Sequence, residues 1–147
     1  MAHVRAPAGD HRDQAAPADL AGTVIPEGDF VLPADDHRRF AEAVGADAQA
    51  DPTLIALWVL LSGLRGLPMT LSEVFALAGC DMETDKPMLG GCELEVLRDA
   101  VPGRPYRAGG EILGIERKSG ARAGTFDLMR VRLTLRDDEG PVGSAVV

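Results

Sequence analysis

The segment Met129-Arg-Val-Arg-Leu-Thr-Leu-Arg136 decides the fold, because apolar and polar residues alternate along it. A period of two places the apolar side chains on one face of a β-strand and the polar ones on the other. Residues 94–96 and 112–118 carry the same period before it, and a further apolar run, residues 142–147, follows the turn at residues 137–140. The second half of the chain therefore predicts an antiparallel sheet of four or five strands.

Helical signals fill the first half of the chain. Residues 34–44 carry two aspartates in the first turn and end at Gly45, a residue suited to a left-handed C-terminal cap. Residues 53–64 follow an Asp-Pro start signal and are apolar all round, which predicts a buried helix. Thr70 and Glu73 have the spacing of a capping box and predict the start of a third helix.

An early strand completes the predicted order of elements. Residues 23–32 are largely apolar but contain Pro26 and Gly28, a combination typical of an edge or bulged strand. A strand, a long buried helix and then consecutive antiparallel strands predict an α+β domain whose sheet wraps around one helix, the hot-dog arrangement. A generic α+β roll is the alternative. We expect residues 20–147 to form this single domain and residues 1–19 to be a disordered tail.

Composition excludes several classes of partner. Fifteen basic residues against 23 acidic ones give a net charge of -8, which repels nucleic acid and anionic membranes. The apolar runs are far shorter than the roughly twenty residues that span a bilayer, and the first twenty residues lack the apolar stretch of a signal peptide. We therefore expect a cytoplasmic protein whose two cysteines, Cys80 and Cys92, are reduced and pack as small apolar residues.

Three segments, in this order and spacing, resemble a known family: residues 39–45 (RFAEAVG), 87–90 (PMLG) and 115–124 (IERKSGARAG). Over roughly residues 20–147 the chain resembles the MaoC-like hot-dog dehydratases. It is most similar to their N-terminal or partner-subunit branch, which includes non-catalytic halves of heteromeric (3R)-hydroxyacyl dehydratases and of steroid enoyl-CoA hydratases. The resemblance implies a hot-dog fold, two such domains paired through their sheets, and an acyl thioester near the interface between them.

The resemblance also shows which catalytic residues are missing. Hydratases of this family use an aspartate and a histidine, spaced as Asp-x-Asn-Pro-x-His, because water must lose a proton while it attacks the enoyl thioester. The corresponding residues 45–52 offer Asp47 and Asp51 but no histidine. His3 and His11 lie in the expected tail, and His37 is expected on the solvated surface of the first helix. No catalytic residue is therefore assigned, and Asp47 is kept as a weak candidate base or nucleophile. The alternative for Asp47 is an exposed loop residue without a catalytic role, and the alternative for Asp51 is the N-cap of the next helix.

A basic turn is the candidate for binding the substrate. Arg117, Lys118 and Arg122 surround a Gly-containing turn on an acidic chain and are predicted to meet the phosphates of coenzyme A or phosphopantetheine. Gly90 is predicted to let backbone approach the ligand. The alternatives are a solvated hairpin face for the basic residues and a simple strand entry for Gly90. No metal-ligand spacing is present, and we expect no cofactor beyond the coenzyme A or carrier arm of the substrate.

Three functions are consistent with these features. The preferred one is a non-catalytic subunit of a heteromeric acyl-thioester dehydratase or enoyl-CoA hydratase, paired with a homologous catalytic subunit or, otherwise, as a homodimer. The acyl chain it would serve is fatty, polyketide or steroid in type. The alternatives are an autonomous hot-dog thioesterase that uses Asp47 and a non-enzymatic acyl-CoA-binding module.

Overall fold

The computed structural model describes residues 19–47, 65–83, 85, 87–121 and 124–147. Two helices, α1 (Ala34–Val44) and α2 (Leu71–Leu77), and five strands form this part of the chain. The strands are β1 (Thr23–Phe30), β2 (Glu93–Val96), β3 (Tyr106–Gly120), β4 (Gly124–Asp137) and β5 (Gly140–Val146). The predicted tail up to residue 18 and the predicted helix at residues 53–64 lie outside the described residues. No helix in the described part is long and apolar enough to cross a membrane.

All five strands form one antiparallel sheet in the order β1-β3-β4-β5-β2. The alternation that predicted β4 is confirmed, because Val131, Leu133 and Leu135 are buried while Arg132 between them is exposed and Thr134 is half-buried. β3 is longer than predicted and begins at Tyr106. Its first half contains the small residues Ala108, Gly109 and Gly110, which give no apolar alternation in the sequence. Pairing with β1 on one side and β4 on the other holds this part of the strand extended.

The helix boundaries follow the predicted caps. Gly45 has a φ of 69° and ends α1 in the left-handed conformation. At the start of α2, the Thr70 hydroxyl accepts a hydrogen bond from the Glu73 backbone N–H at 3.2 Å, and the Glu73 carboxylate accepts one from the Thr70 N–H at 2.7 Å. This capping box confirms the third predicted helix, which buries Val74 against the sheet core.

The prediction that His37 lies on a solvated surface is wrong. His37 is 9% exposed and shares the buried face of α1 with Ala41, four residues further on. The larger apolar residues Phe40 and Val44 are instead 37% and 56% exposed. The reason is that packing against the rest of the fold selects one narrow stripe of a short helix, and here this stripe contains the histidine and a small alanine.

The two edges of the sheet differ in accessibility. β1 contains Pro26, which has no N–H to offer, and its register shifts between Ile25 and Gly28, as a bulged edge strand predicts. A Cβ atom on Gly28 would lie 2.1 Å from the carbonyl oxygen of Gly66, so residues 66–68 pass directly against this strand. At the opposite edge, β2 pairs only with β5 among the described elements, and all four of its residues are exposed. β2 is therefore the open edge.

Candidate functional site

A two-stranded arm carries the predicted phosphate-binding residues. β3 pairs with β1 only as far as Ile112, and β4 pairs with β5 only from Arg132, so residues 114–120 and 124–130 pair with each other beyond the rest of the sheet. We call this pair of segments the hairpin arm. A register shift after Ile112 marks the point where the arm leaves the sheet.

The basic residues of the hairpin arm are paired with carboxylates. The guanidinium of Arg117 donates to Asp127 through Nε at 2.8 Å and through Nη2 at 2.9 Å, and this hydrogen-bonded pairing raises the pKa of Arg117. Lys118 Nζ lies 3.2 Å from Glu116 Oε2. The local charge contrast predicted from the sequence is therefore partly neutralised within the arm itself.

Asp127 and Glu116 belong to this site although neither is among the residues predicted from the sequence. A signal for Asp127 was available, because Gly120 lies opposite Gly124, and counting back along both strands from that pair brings Arg117 opposite Asp127. A short loop between two glycines fixes the register of a hairpin in this way. Arg122, which the sequence places between these glycines, lies outside the described residues.

Gly90 lies against the same hairpin arm. A Cβ atom on Gly90 would be 3.9 Å from Cδ1 of Leu128, a residue that pairs directly with Glu116 across the arm. The structure thus brings together two regions that the sequence analysis selected separately, the glycine segment and the basic turn. Met88 and Leu89, immediately before Gly90, are 89% and 70% exposed. Successive residues of a strand point to opposite faces, so Gly90 lies against the face of the arm that carries Glu116 and Lys118, and the Arg117–Asp127 pair lies on the other face.

Asp47 lies at a different element, two residues beyond the cap of α1. Its side chain is exposed, and the helix end before it is closed by a hydrogen bond from the Ala46 N–H to the Ala41 carbonyl at 2.9 Å. The next residue for which the sequence suggested a role, Asp51, lies outside the described residues. Among the described residues no group of three or more His, Cys, Asp and Glu side chains could hold a metal ion.

The open edge at β2 has two chemically different faces. Leu94 and Val96 share the inner face with buried Ala145 of β5 and with Gly143, yet they remain 44% and 40% exposed. With Leu97, which is 54% exposed, they form what we call the apolar edge. Cys92, immediately before the strand, is exposed too, contrary to the expectation that it packs inside. Apolar residues at this level of exposure on one strand are typical of an interaction surface.

The outer face of β2 is acidic. Glu93 lies opposite Val146 and Glu95 opposite Ser144, whose hydroxyl donates to Glu95 at 3.3 Å. These residues line a shallow depression together with Leu94 and Arg132. Nη1 of Arg132 lies 3.4 Å from Oε2 of Glu111, which belongs to β3, the strand on the other side of β4 from β5. Within the described part of the chain, neither Glu93 nor Glu95 forms an ion pair.

Comparison with solved structures identifies the fold. A crystal structure of the C-terminally truncated HadBC (3R-hydroxyacyl-ACP dehydratase) complex from Mycobacterium tuberculosis matches with a TM-score of 0.54 and 20% identity, covering 88% of this chain and 95% of that chain. The ChsH1-ChsH2 complex from the same organism matches with a TM-score of 0.48 and 14% identity, covering 87% and 94%. No protein-family model and no curated protein matches the sequence. The chain has the α+β hot-dog fold, as predicted.

Proposed function

We propose that this chain is a subunit of a heteromeric acyl-thioester dehydratase or enoyl-CoA hydratase, and that a partner subunit supplies the catalytic base. The observation that carries the proposal is the open β2 edge, where Leu94 and Val96 lie on the core side of the sheet but remain partly exposed to solvent. When the edge strand of a second sheet pairs with such an open edge, it satisfies the free backbone groups and covers the exposed apolar side chains. The fold is shared with a chain from a 3R-hydroxyacyl-ACP dehydratase complex, which supports this choice of reaction class.

The histidines support the division of labour. A hydratase needs a group that titrates near neutral pH beside the attacking water. His37 is the sole histidine among the described residues, and it is buried within α1 rather than displayed at an open surface. The stretch that corresponds to the family's catalytic position contains no histidine in its sequence. The partner would therefore contribute the base, and this chain part of the thioester pocket.

The hairpin arm is the proposed contact for the coenzyme A or phosphopantetheine portion of the substrate. It carries Lys118 on the face that lies against Gly90, beside the exposed segment of Met88 and Leu89, and Arg117 on the opposite face; an acyl thioester with its phosphate-bearing arm needs both cationic and apolar contacts. The carboxylates that pair with the two cations limit how strongly phosphate can bind. A weak contact suits a substrate whose acyl end is held elsewhere.

The decisive experiment is coexpression with a hot-dog subunit that carries the Asp-x-Asn-Pro-x-His motif, sought first among neighbouring genes. The two chains should copurify, and hydration of an enoyl-CoA should be fast for the complex and near background for this chain alone. Replacing the partner's motif histidine should abolish the activity, while Asp47→Asn in this chain should leave it unchanged. Full activity of this chain by itself would overturn the non-catalytic assignment.

A second candidate function, thioester hydrolysis by Asp47, is favoured by the exposure of that carboxylate next to the left-handed Gly45. It makes the opposite prediction for the same variant. Asp47→Asn should then abolish acyl-CoA hydrolysis by the isolated chain, measured by release of free thiol. Unchanged hydrolysis would exclude Asp47 as the nucleophile or base.

A further inference from the structure

We infer that the two glutamates on the outer face of β2 reject a second copy of this chain and select a partner whose edge strand carries Lys or Arg at the facing positions. The inference rests on the proposed function, since it specifies the chemistry of the subunit that pairs at the same edge. It concerns Glu93 and Glu95, which the sequence analysis did not select.

The two faces of β2 carry different kinds of residue, apolar on the core side and acidic on the outer side. Leu94 lies opposite Ala145, which is fully buried, so Leu94 and Val96 belong to the core side of the sheet. Glu93 and Glu95 belong to the outer side, with Val146 and Ser144. A strand that pairs with the open edge must keep this assignment, because a slip of one residue would place glutamates on the apolar side.

In a homodimer, β2 would pair with itself in the antiparallel sense. Two registers keep the glutamates of both copies on the outer face and the apolar residues on the inner face. In each of these registers, three residues of β2 pair with three residues of its copy. In the register centred on Leu94, Glu93 lies opposite the partner's Glu95, and the symmetry repeats this contact. In the register centred on Glu95, that residue lies opposite its own copy. Directly opposed like charges destabilise an antiparallel pair, so both registers of a homodimer are penalised.

Among the residues that the structure describes, no cation forms an ion pair with Glu93 or Glu95. Glu95 accepts a hydrogen bond from the Ser144 hydroxyl, and Arg132, which lines the same depression, pairs with Glu111 instead. The net charge of -8 adds a general repulsion between two copies. Basic side chains on an incoming strand would meet both glutamates and could enter the same depression, while apolar side chains on its other face would cover Leu94 and Val96.

A variant of this chain with lysines on the outer face of β2 serves as the basic partner in the test. Glu93→Lys/Glu95→Lys is mixed in equal amounts with the wild-type chain, and dimerisation is followed by sedimentation velocity at low and at high salt. The mixture should dimerise at least roughly tenfold more tightly than either protein alone at low salt, and the advantage should shrink at high salt. Glu93→Gln/Glu95→Gln, which removes the opposed charges, should self-associate more tightly than the wild type.

The control is Glu83→Lys/Asp138→Lys, which changes the net charge equally at two exposed positions outside β2 and its neighbour β5. If the control mixture dimerises as well as the β2 mixture, general charge attraction is sufficient and the inference is overturned. Absence of dimer in both the β2 mixture and the Gln variant also overturns it, while partner-dependent hydration can still be observed. Selective dimerisation without any hydration by coexpressed partners would leave the inference standing and remove the proposed function instead.

Discussion

The carboxylate of Asp127 allows a direct test of whether the hairpin arm binds the phosphates of coenzyme A. Asp127→Asn removes one negative charge while it keeps the side-chain shape and one oxygen that can accept a hydrogen bond. In the wild-type chain this carboxylate neutralises Arg117 through two hydrogen bonds of 2.8 and 2.9 Å. We therefore expect the variant to bind coenzyme A more tightly, because the positive charge of Arg117 is no longer compensated.

The expected change in the Kd for coenzyme A follows from the repulsion between the Asp127 carboxylate and a bound phosphate. For a phosphate in contact with Arg117 we take a separation of roughly 7 Å from the Asp127 carboxylate, and in water a double negative charge at that distance is repelled by about 1.2 kcal/mol. Screening at physiological ionic strength reduces the repulsion to about 0.5 kcal/mol. Removing it should lower the Kd for coenzyme A roughly twofold at physiological salt and up to about sevenfold at low salt.

Isothermal titration calorimetry with coenzyme A at both salt concentrations measures this effect. Asp138→Asn is the matched control, because it removes the same charge from the exposed turn at the other end of β4 and should change the Kd little. Lys118→Glu should weaken binding. If Asp127→Asn binds coenzyme A no more tightly than the control does, Arg117 does not contact the phosphates, and the Arg117–Asp127 pair serves only to join the two strands.

Two further predictions concern stability. Tyr106 is 2% exposed and its hydroxyl accepts a hydrogen bond from the Val101 N–H at 2.7 Å, so Tyr106→Phe should cost about 1–2 kcal/mol and lower the Tm by several degrees, measured by circular dichroism; an unchanged Tm would contradict this. A hydrogen bond from Arg98 holds the pKa of Asp137 below its usual 3.8 although burial opposes the shift. The folded-state pKa is thus below the unfolded one, so this stabilisation is complete above about pH 4 and is lost as the pH falls towards the folded-state value. Asp137→Asn should be less stable at neutral pH and lose less on acidification in urea titrations; parallel pH profiles would refute this.

The elements whose signals are local could be predicted from the sequence. The alternation through β4, the capping box at Thr70 and the left-handed Gly45 each depend on residues within a few positions of one another, and each is confirmed. Elements that depend on distant contacts were predicted less well. The first half of β3 needs two neighbouring strands to hold its small residues extended, and the burial of His37 depends on what packs against α1.

The candidate site shows the same division. The cations of the basic turn are visible in the sequence, but their carboxylate partners depend on hairpin register, and Asp127 is ten residues from Arg117 along the chain. The acidic face of β2 was not predicted at all. The short alternation at residues 93–96 predicts a strand but not its place in the sheet. The two glutamates become significant because, among the described elements, this strand pairs only with β5 and lies at an edge of the sheet.

The apolar edge shows why the outer face of β2 should decide which partner binds. Covering the exposed fractions of Leu94, Val96 and Leu97 would contribute together about 2–4 kcal/mol from each subunit. Association costs at least about 4 kcal/mol in lost translational and rotational freedom, and estimates run several times higher. Apolar burial at this edge and the backbone hydrogen bonds of the added strand are therefore close to balance with that cost. Near such a balance, the opposed charges, two pairs in one register and one pair in the other, are sufficient to separate a bound partner from a rejected one, since each 1.4 kcal/mol changes the Kd tenfold.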